Sequence, residues 1–495
     1  MMFMIMRRRM RDEGGEGGGC YSSETLDYYE NLIRSERKKA ENFKLPTSAQ
    51  RYKPNDDGPP TGKGLLNVEY STPRSEQCKV FLKANEQLGY NLTDFNGPEE
   101  IGASPYQINI KEGKRQDSGT AFLKPFLNRP NLKILTKSFV MKIIINKSKE
   151  AEGVIFTYKG RKYKAKATKE VIVCEGSINS PQLLMLSGIG PEEHLKQHVK
   201  FYLLTSIIKI LVDTFLKITG IPVIENLEVG STLTDHLQFY GLTFSSNLTE
   251  PVKSLRQYVK DYLNGQGILT EALTQQCASY VQTKLEKNPT YPDFEIDFYN
   301  SNSTSPALLR GLRWKKEVSE AISGVNLASS FSIYLAILDT KSFGTVRLKS
   351  SSPFDYPLID SNCLSDPKGE DILRTYEAVQ ITLKMIETDA FRKINAKLES
   401  KPLKFCSKYK FLTKDYWYCA LRYLTGHDNH PASSCKMGPD PKKGYVVDSE
   451  LRVHGIGKLS VADASVIPIA TSAHINAICY MIGEKLADIL KARYQ

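Results

Sequence analysis

Residues 169–191 read KEVIVCEGSINSPQLLMLSGIGP, and no other stretch constrains the fold as much. The β-branched run Val171-Ile172-Val173 makes Glu170–Cys174 a buried type of strand. It runs into Gly176, and an apolar helix is expected from about Ser180 to Ser187. Glycine lets a backbone come close to a bound group, and a helix N-terminus offers unpaired amides to phosphates or ring oxygens. Strands and helices alternate through much of the remaining chain. That order predicts an α/β protein with a second domain inserted.

Other elements are expected on the same grounds. Helices are predicted at 23–43, 81–88, 371–386 and 476–491. Strands are predicted at 131–135, 140–146, 341–348 and 459–462, and a hairpin at 153–158 and 162–167 across Lys159-Gly160-Arg161. Val199–Thr219 is apolar, but Lys209 and Asp213 interrupt it. No uncharged run approaches the roughly 20 residues of a membrane span, so a buried helix is expected there and no membrane span. Residues 1–22 read as a flexible leader. Its run GGEGGG follows no strand and ends in no GKS or GKT, so it is no phosphate loop.

Composition narrows the class of function. The formal net charge is +12, but Lys and Arg are interleaved with Asp and Glu, as on a solvated surface rather than a nucleic-acid patch. The cysteines are nine, and their spacing fits no zinc pattern, so no metal site is expected. Cys406 and Cys419 flank KYKFLTKDYWYC. They form a disulfide in a secreted protein or remain two free core thiols, and the sequence leaves both open. Acceptor triplets for N-glycosylation begin at Asn91, Asn146, Asn247 and Asn302, which leans towards the secretory pathway although no signal peptide is visible.

Over 169–191 the chain closely resembles the second signature of the GMC (glucose–methanol–choline) oxidoreductases. Flanking motifs agree with it. GKRQDSGTAFLKP at 113–125, LTKSFVMKI at 135–143 and GSTLTDH at 230–236 each resemble a family motif, as does the stretch 341–367. HPASSCKMGP at 430–439 resembles HPxGTCKMGP, with Ser433-Ser434 in place of Gly-Thr. Residues 446–468 follow VVDxxLRVHGxxxLxVxDASxxP, and SAHIN at 472–476 fits the second active-site position.

The resemblance implies an FAD-binding Rossmann-like domain with an α+β substrate domain built on an antiparallel sheet. It implies oxidation of a CH–OH group of a small alcohol or sugar, leaning to the insect-type glucose dehydrogenases, with oxygen or a quinone as electron acceptor. His430 would be the base, and His474, 44 residues on, would hydrogen-bond the same substrate oxygen. Imidazole suits the first role because it titrates near neutrality, and a donor to developing negative charge suits the second. Flavin N5 would take the hydride. Val140, Gly176, Asn179, Asp463, Ala464 and Asn476 would hold the cofactor. Glu175 stands where the family favours a small residue, a costly place for a charge unless it faces solvent.

The family's opening strand with GxGxxG, the acidic residue for the ribose and the GGSS-type first signature have no counterpart here. The resemblance runs from about Ser23 to Lys491. The expected organisation is leader 1–22, FAD-binding region 23–245 with an insert at 199–219, substrate-domain segment 246–338 and catalytic region 339–491. An incomplete or mispredicted gene reading would explain both the missing opening and the insert. Such a chain would bind FAD poorly, and a catalytically silent remnant or binding protein without FAD is the alternative to an enzyme.

Overall fold

In the computed structural model the described residues are 41–44 (backbone only), 64–70, 75–97, 99–198, 200–203, 216–219, 221–249, 253–270, 275–300, 314–322, 329–399 and 402–495. Most of the helix expected at 23–43 and the whole leader lie outside them. Within that helix, 41–43 belong instead to a strand, Glu41–Lys44, which pairs parallel with Leu66–Tyr70.

A seven-stranded sheet carries the larger core. Its main path runs Lys397–Leu398, Leu237–Ser245, Ser330–Ile337, Phe294–Tyr299, Gln275–Val281 and Gly102–Pro105, every pairing antiparallel. Side chains alternate across it as strand geometry demands. Phe294, Ile296 and Phe298 face one side with Phe331, Ile333, Leu335, Leu237 and Phe239. Against that side pack helices Glu76–Gln87, Glu370–Ile386 and Lys414–Leu424. Fully burying each large apolar side chain contributes roughly 1.5–3 kcal/mol, so this face holds the unit together. On the other side stand Gln238, Glu295, Asp297 and Tyr280, all buried. Two acids at alternate positions of an otherwise apolar strand give the sheet one apolar face and one polar face.

The second core joins Val171–Val173 in parallel to Leu459–Val461. It packs helix Gly176–Leu186, an antiparallel three-stranded sheet (Ser138–Ile145, Ala151–Tyr158, Arg161–Lys166) and the last helix, Asn476–Tyr494. That helix turns Ile478, Ile482 and Leu486 inward at four-residue spacing. Arg493 clamps its end, donating to both carboxylate oxygens of Glu170 at 3.0 and 2.9 Å.

Several expectations need correction. Residues 131–135 form no strand. Ile134 and Leu135 are exposed and have no ladder partner, and a strand exists only by pairing. The helix expected at 81–88 spans Glu76–Gln87, because Ser75 caps it by accepting from the Cys78 amide at 3.1 Å. The strand expected at 341–348 is only Thr345–Arg347. The buried helix expected over 199–219 is not formed at its described ends. Lys200–Leu203 and Leu216–Thr219 are strands paired antiparallel, and the stretch between them lies outside the described residues. Among the described residues no helix is long and apolar enough to cross a membrane.

Of the two alternatives for Cys406 and Cys419, the structure has the disulfide. It ties the turn Lys404–Cys406 to helix Lys414–Leu424 across a separation of 13 residues. Closing a loop of this size in the unfolded chain is worth about 3 kcal/mol. The C406A/C419A double variant should therefore unfold more easily by about 2–3 kcal/mol in urea titrations, with an unchanged fold by circular dichroism.

Candidate active site

His430 reaches its place on a short ladder. Thr425–His427 pairs antiparallel with Leu237–Phe239, and the pairing resumes at Thr234 opposite Ala432. Between these points Asp428, Asn429 and His430 bulge opposite Asp235 and His236. The Asp428 amide donates to the His236 carbonyl at 2.9 Å, and the His430 amide donates to Asp235 Oδ1 at 2.9 Å. Asn429 (φ 59°) and Ser433 (φ 71°) take left-handed backbone to make the turn. Ser433 occupies the position of the family glycine, and its hydroxyl meets that of Thr234 at 2.7 Å.

His474 comes from the segment before the last helix. Its ring centroid lies 4.5 Å from that of His430, so the structure brings together the two histidines singled out in the sequence. His474 Nε2 is 2.8 Å from Glu295 Oε2. Tyr106 donates to the other Glu295 oxygen at 2.9 Å, and Tyr280 donates to it as well. Asp297, on the same strand, accepts from Gln238 Nε2 at 2.8 Å.

The two rings are held in opposite charge states. Burial pushes His430 well below the usual histidine range, helped by the charge of His474 and by His236, so His430 is neutral. Burial also pulls His474 down. The Glu295 carboxylate, its hydrogen bond, and Asp428 and Asp297 outweigh that and raise it to about 9. Asp235 is raised by burial to about 7 against the pull of three backbone amides, and Asp428 is raised well above its ordinary value.

His236, which ends the GSTLTDH motif, was not singled out in the sequence. It is fully enclosed, with Nε2 2.7 Å from the Thr471 carbonyl and Nδ1 3.0 Å from His430 Nδ1. Among the described residues, His236, Asp428 and His430 form a group with the donor types for a small cation, their ligand atoms all within 4.8 Å of one another. At 3.0 Å the two histidine nitrogens already satisfy each other through a proton. His194 is engaged elsewhere, accepting from the Leu348 amide at 2.9 Å, and His454 Nε2 meets the Gly438 carbonyl at 2.9 Å.

The residues expected to hold a cofactor fall into two groups. Asp463 is the hub of the first. Its Oδ2 accepts from the Gly176 amide at 3.0 Å and from Ser180 Oγ at 2.6 Å, while Oδ1 accepts from the Ser465 amide at 2.8 Å. This locks the strand–glycine–helix turn to the turn that carries Ala464. Gly176 sits at φ 78°, and a Cβ there would meet nothing within 4 Å, so open space lies over the helix N-terminus. Asn179 and Glu175 are exposed beside it, while partial burial and the nearby Asp463 charge raise the Glu175 carboxyl above its usual range. In the second group, Asn476 starts the last helix and donates to Asn109 Oδ1 at 3.3 Å. Val140 is half-buried on the strand Ser138–Ile145.

The N-terminal and C-terminal GMC oxidoreductase family models match residues 20–238 and 340–483. Glucose dehydrogenase (FAD, quinone) of Drosophila pseudoobscura pseudoobscura is 30% identical over 465 residues, 94% of this chain and 68% of the relative. The chain belongs to the GMC oxidoreductase family. Human mitochondrial choline dehydrogenase, 29% identical over 462 residues, covers 92% of this chain and is itself covered to 68%. Among solved structures, formate oxidase from Aspergillus oryzae superposes with a TM-score of 0.75 at 24% identity, covering 94% of this chain and 78% of that one. Its fold is therefore that of this family, a mixed α/β architecture with antiparallel sheets. In this GMC oxidoreductase His430 and His474 stand together beside Glu295, on the side of the sheet opposite its apolar face.

Proposed function

We propose that this GMC oxidoreductase is an FAD-dependent dehydrogenase or oxidase acting on the CH–OH group of an alcohol or sugar. The observation that carries the reading is a neutral His430 beside a charged His474, ring centroids 4.5 Å apart. Oxidising an alcohol requires a base for the hydroxyl proton and a donor for the oxygen that becomes negative as the carbon-bound hydrogen leaves. His430 takes the proton. His474, its Nε2 committed to Glu295, stabilises the oxygen with its charge.

FAD supplies the hydride-accepting chemistry. The open space over Gly176, at the turn braced by Asp463, fits it, with Asn179 and Ala464 at that turn and Val140 and Asn476 on a strand and a helix of the same core. The names of the insect relatives, glucose dehydrogenase (FAD, quinone), support both the cofactor and a sugar-like donor, and that of human choline dehydrogenase widens the donor class to amino alcohols. The electron acceptor is a quinone or oxygen. The disulfide Cys406–Cys419 supports a secretory location.

Purified chain incubated with FAD should turn yellow, and a panel of sugars, simple alcohols and amino alcohols should bleach the flavin bands in the absence of air. Re-addition of a quinone or of oxygen then shows which acceptor restores the colour. A folded protein that takes up no FAD, or a flavin that no donor bleaches, would sink the reading.

A further inference from the structure

We propose that His236 is a positioning residue that fixes the tautomer of His430, holding its proton on Nδ1 and leaving Nε2 as the basic nitrogen. The catalytic consequence rests on the reading of His430 as the base; the tautomer itself does not.

The chain of hydrogen bonds has only one consistent direction. The Thr471 carbonyl can only accept, so His236 Nε2, 2.7 Å away, carries a hydrogen. His236 is buried and stays neutral, with burial and the charge of His474 lowering it to about 4. A neutral imidazole has one N–H, so His236 Nδ1 presents a lone pair. His430 Nδ1 faces that lone pair at 3.0 Å and must be the donor. Asp428 Oδ2 stands 3.4 Å from the same nitrogen, on the same side. His430 is also neutral, its single hydrogen is used on Nδ1, and Nε2 is bare.

This matters because a neutral imidazole left to itself carries its hydrogen mostly on Nε2. That tautomer could not take a proton there. When substrate ionises, the hydroxyl proton moves to His430 Nε2, the O–H bond breaks and an N–H bond forms. The Nδ1–H stays in place, still donating to His236, so the imidazolium keeps its partner. His236 never takes the proton. It also ties the two catalytic segments together, since its one ring bonds both the His430 turn and the Thr471 segment that leads to His474.

The test reads the nitrogens directly. Protein labelled with 15N-histidine, with or without FAD, is examined by long-range 1H–15N correlation, with ring signals assigned by single replacements. In the wild type His430 should show a protonated Nδ1 and a bare Nε2, and His236 the reverse. H236F keeps a flat ring but offers no acceptor, so His430 should move towards the Nε2–H form. H236Q, whose amide accepts at one end and donates at the other, should restore the wild-type pattern. D428N should leave it unchanged. In flavin-loaded enzyme, H236F should lower kcat about 10–100-fold with little change in KM, as loss of an orienting partner does, and H236Q should recover most of it.

A wild-type His430 protonated on Nε2 overturns the proposal without any variant. So does a tautomer that survives H236F, or one that switches in D428N and not in H236F. If the spectra follow the proposal but kcat does not, the positioning stands and the reading of His430 as the base fails.

Discussion

H430A in flavin-loaded protein should lower kcat for its best donor by 10²–10⁴-fold, the range that a positioned base contributes. KM should change far less, because the ring acts on the proton in flight rather than on the bound ground state. Added imidazole should recover part of the rate by entering the vacated space. The loss should be measured as anaerobic flavin reduction in single turnover, so that reoxidation by quinone or oxygen does not limit it. A variant that reduces its flavin within tenfold of the wild-type rate would remove His430 from the chemistry. H474A provides the contrast, since it leaves the base and removes the charge. Loss of one stabilising donor typically costs 10²–10³-fold, and here Glu295 would be left without its cationic partner.

His430 and His474 were legible because the motifs that hold them are continuous in sequence, and so was the glycine turn that Asp463 braces. The residues that set the charge and the tautomer of those histidines were harder to see. His236 stood in plain view at the end of GSTLTDH, but its partners are 194 and 235 residues away. Glu295 lies in FEIDFY, a stretch with no motif. Its one signal was physical. Phe294, Ile296 and Phe298 alternate with Glu295, Asp297 and Tyr299, and a strand that buries both faces does not carry two acids without partners.

The same limit explains the strand errors. NLKIL at 131–135 has the composition of a strand, and SFVMKIII at 138–145 did form one, yet pairing depends on what stands alongside, which local sequence does not state. Helix Glu370–Ile386 was legible because it needs no partner to declare its period. Ile372, Thr375, Val379, Thr382 and Ile386 fall inward at spacings of three and four.

Glu295 therefore gives the second large effect. In the native enzyme burial alone would leave His474 neutral, and the nearby carboxylates, Glu295 first, raise it to about 9. The sign follows from that. The charged form is present below this value and is lost as the pH rises through it, so a rate that needs the imidazolium is sustained through neutrality and falls on the alkaline side near pH 9. E295Q keeps the shape of the side chain and an oxygen for the Tyr106 and Tyr280 hydroxyls but removes the charge. Losing an opposite charge at hydrogen-bond distance lowers a pKa by roughly 1–3 units. A fall of about 2 units, worth about 2.7 kcal/mol, would take His474 from roughly nine-tenths charged at pH 8 to roughly one-tenth. The rate of flavin reduction should then drop about tenfold at pH 8 and remain nearer to wild type at pH 6, with the alkaline limb displaced to lower pH. D297N should displace it less, because Asp297 acts on His474 through its charge and not through a hydrogen bond. An alkaline limb that stays in place in E295Q, with the rate reduced equally at every pH, would mean that Glu295 shapes the site without setting the charge of His474.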